Sequence, residues 1–192
     1  MKLNKSNLLI LLLLVIACAL YRVWDGRPMG FAPQIAMCLF AGSVIRDKKI
    51  AFLFPVLSML ISDLLYQLLY AQGLTAIKGF YSGQFANYLL IASIAIIGFF
   101  INKNKLTHIL GGSFAGAVYF FLVSNFMVWY GGGLDINNQV YERSASGLIL
   151  CYTEALPFFY WSLAATLIFN GIFFGYYHLV GKRISTKEVQ AA

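Results

Sequence analysis

The sequence predicts an all-α integral membrane protein with six transmembrane helices in a single domain, 1–192. Three observations predict it. Of the 192 residues, 60% are hydrophobic and 11% charged, against about 25% charged in an average soluble domain. With a mean hydropathy of +0.76, the chain carries more apolar surface than one water-soluble core of this length can hide. Six runs approach or reach the roughly 17–25 apolar residues that a spanning helix needs. Finally, the basic residues fall at alternating ends of those runs. Continuous apolar runs, with no polar–apolar alternation, exclude a β-barrel.

The first element, 7–21, is almost pure Leu, Ile, Val and Ala. Lys2 and Lys5 before it, and Val15-Ile16-Ala17-Cys18 within it, also fit a lipoprotein signal with a loose cleavage box. Cleavage would leave lipid on Cys18 and only five spans, and would spoil the charge alternation, so the uncleaved helix is the reading adopted. The second element is 28–45 and the third 50–70. The fourth is 84–101 and the fifth 106–130. The sixth, 147–177, is too long for one straight span, and Pro157 predicts a break or kink inside it. The polar tail beyond Gly181 is expected to fray.

Charge orients this bundle. Of 14 Lys and Arg, ten flank one side: Lys2, Lys5, Arg46, Lys48, Lys49, Lys103, Lys105, Lys182, Arg183 and Lys187. Arg22, Arg27, Lys78 and Arg143 make up the other four. The positive-inside rule then places both termini in the cytoplasm, with a bacterial inner membrane as the setting. The net charge of +7 is therefore a topology signal, and a nucleic-acid partner is not expected. Three cysteines in or beside apolar runs do not make a disulfide framework.

In such a chain the informative residues are polar ones at membrane depth, because each is costly unless paired or wetted. Arg22 directly follows the first apolar run and either snorkels or turns into the bundle, whereas Arg27 reads as an interfacial anchor. Asp63 lies inside the third run, with Gln67 one turn later on the same face. It either pairs with Arg22 to fix packing or faces a binding cavity. The cavity reading predicts that Asp63→Asn weakens ligand capture and leaves the fold intact. Asn125 and Trp129 sit near the outer end of the fifth run, where an aromatic belt explains the indole but not the amide. Tyr152 and Glu154 precede Pro157. A carboxylate beside a broken helix suits a substrate or ion site, and it equally suits a turn in headgroup water. Gly112 and Gly116 share a face and predict close helix packing. Gln34, Asn87 and Asn170 read as interhelical hydrogen bonds.

Enzyme chemistry is missing from the pattern. His108 and His178 both lie near the cytoplasmic ends, and no zinc-type spacing, phosphate-binding loop or nucleophile motif occurs. No cofactor or resident metal is expected. Cys151 is at most a soft ligand for a metal-containing substrate such as a corrinoid.

Several blocks resemble a family of small uncharacterised bacterial membrane proteins. They are Arg27-Pro28 with Phe31-Ala32-Pro33, Leu39-Phe40-Ala41-Gly42, Pro55 with Ser62-Asp63, Ser124-Asn125-Phe126 with Val128-Trp129, and Cys151-Tyr152 with Ala155-Leu156-Pro157-Phe158-Phe159. That family is similar to the substrate-binding S components of energy-coupling factor (ECF) transporters. The resemblance implies an S-component-like bundle, a vitamin-like ligand taken from outside, and partnership with a scaffold subunit and two ATPases. The Ala-x-x-x-Ala contact motif of S components is not reproduced by Ala17 and Ala19. The expected function is uptake of a small molecule, with Arg22, Asp63, Gln67, Asn125, Trp129, Tyr152 and Glu154 as substrate contacts. The alternative is a non-transporting structural or assembly protein of the membrane.

Overall fold

The computed structural model describes the backbone of residues 5–190 and the side chains of residues 8–179. Among them six helices follow one another: α1 (Lys5–Val23), α2 (Gln34–Val44), α3 (Lys48–Ala71), α4 (Gln84–Phe99), α5 (Leu106–Tyr130) and α6 (Ala145–Gln190). One isolated antiparallel bridge, Leu134 with Val140, lies in the 131–144 connection. Three helical stretches are long and apolar enough to cross a bilayer, namely Lys48–Ala71, Leu106–Tyr130 and Ala145–Leu179. They mark the chain as a membrane protein. The stretch Leu8–Val23 of α1, together with α2 and α4, is apolar but shorter.

Two elements depart from the sequence reading. The run 28–45 becomes helical only at Gln34 and continues for 11 residues. At about 1.5 Å per residue this is half of a hydrocarbon core roughly 30 Å thick. Pro28 and Pro33 explain the late start, since proline lacks a donor and drives its predecessor away from helical angles. Between them Gly30 takes φ +86. Conversely, Pro157 makes no break, and α6 runs unbroken for 46 residues around it. Pro55 likewise sits inside α3; membrane helices tolerate proline where neighbours and hydroxyls take up the freed backbone. Ser144 starts α6 by accepting the Gly147 amide on Oγ at 3.2 Å. The backbone stays helical past Gly181 to Gln190, through Lys and Glu residues that favour helix, instead of fraying.

α2 is the centre of the bundle. Every residue from Gln34 to Gly42 is buried, and α3, α4, α5 and α6 all pack on it, as befits a helix that is apolar all round. α1 lies against α3 and α6 against α5. The closest approach is between α2 and α4, where a Cβ on Gly98 would stand 2.6 Å from the Leu39 carbonyl oxygen and one on Gly42 2.9 Å from the Gly98 Cα. Of the expected glycine pair, Gly116 does receive a helix, facing Leu39 and Ile35, whereas Gly112 meets the Ile101 side chain in the 100–105 connection. The polar residues expected to bridge helices divide three ways. Asn170 donates to Ser113 Oγ across α6 and α5 at 2.7 Å. Asn87 instead reaches Tyr81 in the preceding connection. Gln34 is buried with both amide atoms unpartnered.

The short connections 45–47 and 100–105 gather basic residues at one end of the bundle. There the Lys48 ammonium lies 3.5 Å from the Phe99 ring centre and that of Lys103 5.0 Å from Tyr177. Lys2, and the side chains of Lys5, Lys182, Arg183 and Lys187, lie outside the described residues. The connections 24–33, 72–83 and 131–144 lie at the opposite end, which carries both regions described next.

Candidate functional site: a closed clasp and an open cleft

The first region joins α1, α3 and α4. Arg22, in the last turn of α1, donates through Nη1 to Asp63 Oδ1 and, at 2.5 Å, to Ser62 Oγ. The other carboxylate oxygen accepts Gln84 Nε2 at 2.5 Å and Tyr88 OH at 2.7 Å. Gln84 opens α4 and also donates to the Gly79 carbonyl at 2.9 Å. Arg27 and Tyr66 both donate to the Arg22 carbonyl, each at 2.7 Å. The Asp63 side chain is 3% exposed and that of Arg22 18%. Both oxygens of Asp63 are thus occupied by protein donors, and its charge is matched by a guanidinium, the arrangement that a buried carboxylate requires. Arg27, expected as a snorkelling anchor, is instead part of the clasp. Gln67 shares the Asp63 face, but the Gly79 backbone presses on it there, with a virtual Gly79 Cβ 2.7 Å from Gln67 Cβ. Among the described residues the Gln67 amide joins no hydrogen bond.

The second region lies between α5, α6 and the 24–33 connection. A cleft of about 150 Å³ opens there. Phe120, Phe121, Phe158 and Phe159 form its walls, and Ser124, Asn125 and Ser162 supply polar atoms. Gly30 closes one side, where a Cβ would stand 2.7 Å from the Phe158 carbonyl. The wall rings pack on one another and on Tyr152, with Phe121 and Phe159 centred 4.8 Å apart and Phe121 and Tyr152 5.6 Å apart. Asn125 donates to the Phe121 carbonyl at 2.7 Å, and its Oδ1 has no partner among the described residues. Tyr152 stands behind the wall and donates to the Leu122 carbonyl at 2.8 Å.

Trp129 and Glu154 do not line this cleft. They hold the 131–144 connection: the Trp129 indole donates to the Glu142 carbonyl at 2.8 Å, and Glu154 Oε2 accepts Tyr141 OH at 2.5 Å and the Ile136 amide at 3.3 Å. Burial, and then the hydrogen bond to Glu154, push the Tyr141 phenol above its ordinary value. Cys151 is buried and its thiol faces the Asn125 carbonyl at 3.5 Å. Among the described residues no three metal-ligating side chains gather, at Cys151 or elsewhere.

The expected site residues therefore fall into three places. Arg22 and Asp63 meet in the clasp, Asn125 lines the cleft, and Trp129 and Glu154 fasten a loop. Sequence reasoning missed Gln84, Tyr88, Gly30, Ser162 and the four phenylalanines. Gln84 and Tyr88 share a helix face by spacing, a signal available in the sequence. The phenylalanines are indistinguishable from lipid-facing residues until the helices are paired.

Comparison with known proteins finds one family model, described as a family of unknown function (DUF6580), which matches residues 2–189. No curated protein and no solved structure matches the chain.

Proposed function

The chain belongs to DUF6580, a family of unknown function, and on that premise we propose that it captures a small organic molecule and passes it across a bacterial inner membrane. In this reading all six helices together form the membrane domain, both termini are cytoplasmic, and the cleft faces outward. The ten-to-four division of basic residues supports that orientation. The observation that carries the reading is the cleft itself: an opening with four phenylalanine walls and polar atoms from Ser124, Asn125 and Ser162. Apolar walls with a few convergent polar groups are the usual make-up of a small-molecule site. Its volume of about 150 Å³ suits a single-ring molecule, because an apolar cavity of about that size holds benzene. A typical vitamin needs a roomier site, so this ligand is smaller or the phenylalanine walls move aside. The likeness to energy-coupling factor S components adds a scaffold subunit and ATPases as partners.

Native mass spectrometry of the protein purified from its own membrane in mild detergent tests this reading. A retained small molecule is the expected result, and co-purifying ATPases would add the energy-coupling assembly. Partner proteins without any ligand would overturn capture in favour of a structural or assembly role. The saturated Arg22–Asp63 clasp favours that second reading, because it leaves the strongest charges of the apolar region engaged in packing.

A further inference from the structure

We infer that the molecule held in the cleft is an uncharged single-ring compound carrying an O–H or N–H group, which it donates to Asn125 Oδ1. The inference deepens the capture reading and rests on it. Two features of the cleft carry it: the absence of charge around it, and the direction in which its polar side chains are already engaged.

Every residue that lines the cleft is neutral. The cations of the adjoining connection and helix end are held in the clasp, where Arg22 donates to Ser62 and Asp63 and Arg27 to the Arg22 carbonyl and Tyr66 OH. Asp25, in the same connection as Gly30, is exposed and does not line the cleft. Glu154 of α6 accepts Tyr141 OH and the Ile136 amide and so faces the 131–144 connection. A charged ligand would therefore leave water for a site without a counter-charge, which is the costliest kind of burial.

The polar groups of the cleft narrow the class further. Asn125 Nδ2 donates to the Phe121 carbonyl at 2.7 Å, and the Ser124 hydroxyl donates to the same oxygen at 3.4 Å. Both donors thus turn back onto α5, as short polar side chains do on a helix. Their oxygens stay open: among the described residues Asn125 Oδ1 and Ser124 Oγ accept no hydrogen bond, and Ser162 Oγ joins none. An amide oxygen and a hydroxyl oxygen can each accept two bonds. What remains to donate is the second Asn125 amide hydrogen and the Ser162 hydroxyl. The cleft is richer in acceptors than in donors, and a ligand that brings a donor answers it. The ring follows from the walls. Phe121 and Phe159 are inclined at 47°, an arrangement that offers a third ring the edge and offset contacts aromatic groups prefer. The phenylalanines then hold the ring while the amide oxygen fixes its orientation.

The test uses the full chain in mild detergent with four probes of similar size, followed by fluorine NMR: para-fluorophenol, para-fluoroanisole, para-fluorobenzoate and protonated para-fluorobenzylamine. After subtraction of each probe's partition into protein-free micelles, the phenol is expected to bind about fivefold more tightly than its methyl ether, the worth of one neutral hydrogen bond. Both charged probes are expected to bind more weakly than the phenol. Asn125→Leu removes the acceptor at similar volume and should bring the phenol-to-anisole ratio to about one, with the melting temperature maintained. The comparison of probes in the native protein needs no variant and is independent of its folding. Equal affinity for phenol and anisole, or a preference that survives in folded Asn125→Leu, would overturn the donor contact and leave capture standing. Tightest binding of the benzoate would overturn the neutral class in favour of an anion, and of the benzylamine in favour of a cation held on the phenylalanine faces. A retained native ligand that is charged also overturns the class while supporting capture. Failure of all four probes overturns it too, and the retained-ligand measurement then decides capture on its own.

Discussion

The clasp and the cleft flank the same connection, 24–33, and manage polar groups at depth in opposite ways. In the clasp a full charge pair is closed on itself, with Asp63 taking Arg22, Gln84 and Tyr88 on its two oxygens. In the cleft no charge is present, yet Asn125 Oδ1 has hydrogen-bonding capacity left over. A residue's cost in lipid therefore measures how firmly it must be satisfied, not whether it meets a ligand. The costliest residues are the first to be paired by the protein itself, and the capacity for a ligand remains with neutral amides.

Three substitutions break or sharpen that contrast. The largest effect is expected from Asp63→Ala, which leaves Arg22 without its counter-charge and should lower stability by on the order of 3 kcal/mol. Thermal unfolding in detergent reads the loss, and retention of a co-purified small molecule by the folded protein should not change. Weakened binding without lost stability would return Asp63 to the ligand, as the sequence alone suggests. Next comes Gly30→Ala. With φ +86 and a Cβ 2.7 Å from the Phe158 carbonyl, alanine should cost about 1–3 kcal/mol in strain. Because Gly30 closes the cleft, retention of the co-purified small molecule should fall in parallel. A stability loss with unchanged affinity would separate the cleft from binding.

The smallest effect is expected from Tyr141→Phe, which deletes the bond to Glu154 and should loosen the 131–144 connection by about 1 kcal/mol. Hydrogen exchange along that loop is the measurement, with the clasp and cleft unchanged. The sign of its pH dependence follows from the raised phenol: docking is complete below the free tyrosine value of about 10 and weakens as pH climbs through the raised one. Loosening that began at neutral pH would show that another group governs the loop.

Much of the helical inventory is legible in the sequence, because α1, α3, α4 and α5 begin and end within a few residues of their apolar runs. The second run misleads because its composition is continuous through Pro28 and Pro33 while its backbone is not. The sixth misleads in the other direction, since Pro157 marks a break that the packed helix does not need. For the site, Arg22 and Asp63 stand out in sequence as charges among apolar residues, and their pairing is one of the alternatives the sequence leaves open. Trp129 and Glu154 also stand out, but nothing local says that their partners are Glu142 and Tyr141 in the loop.

What the sequence by itself determined is the set of apolar lengths, their helical character and the uneven spread of basic residues. Each follows from chemistry within one run: backbone groups in hydrocarbon must bond internally, and charge must end where lipid ends. The tertiary structure alone decided which polar groups are spent and which are spare. That question turns on contacts between distant positions, as with Arg22 and Asp63, 41 residues apart. The burial of α2 is the same kind of outcome. Gln34 is an ordinary polar residue at a helix start until four other helices close around α2 and remove the water that would have satisfied its amide.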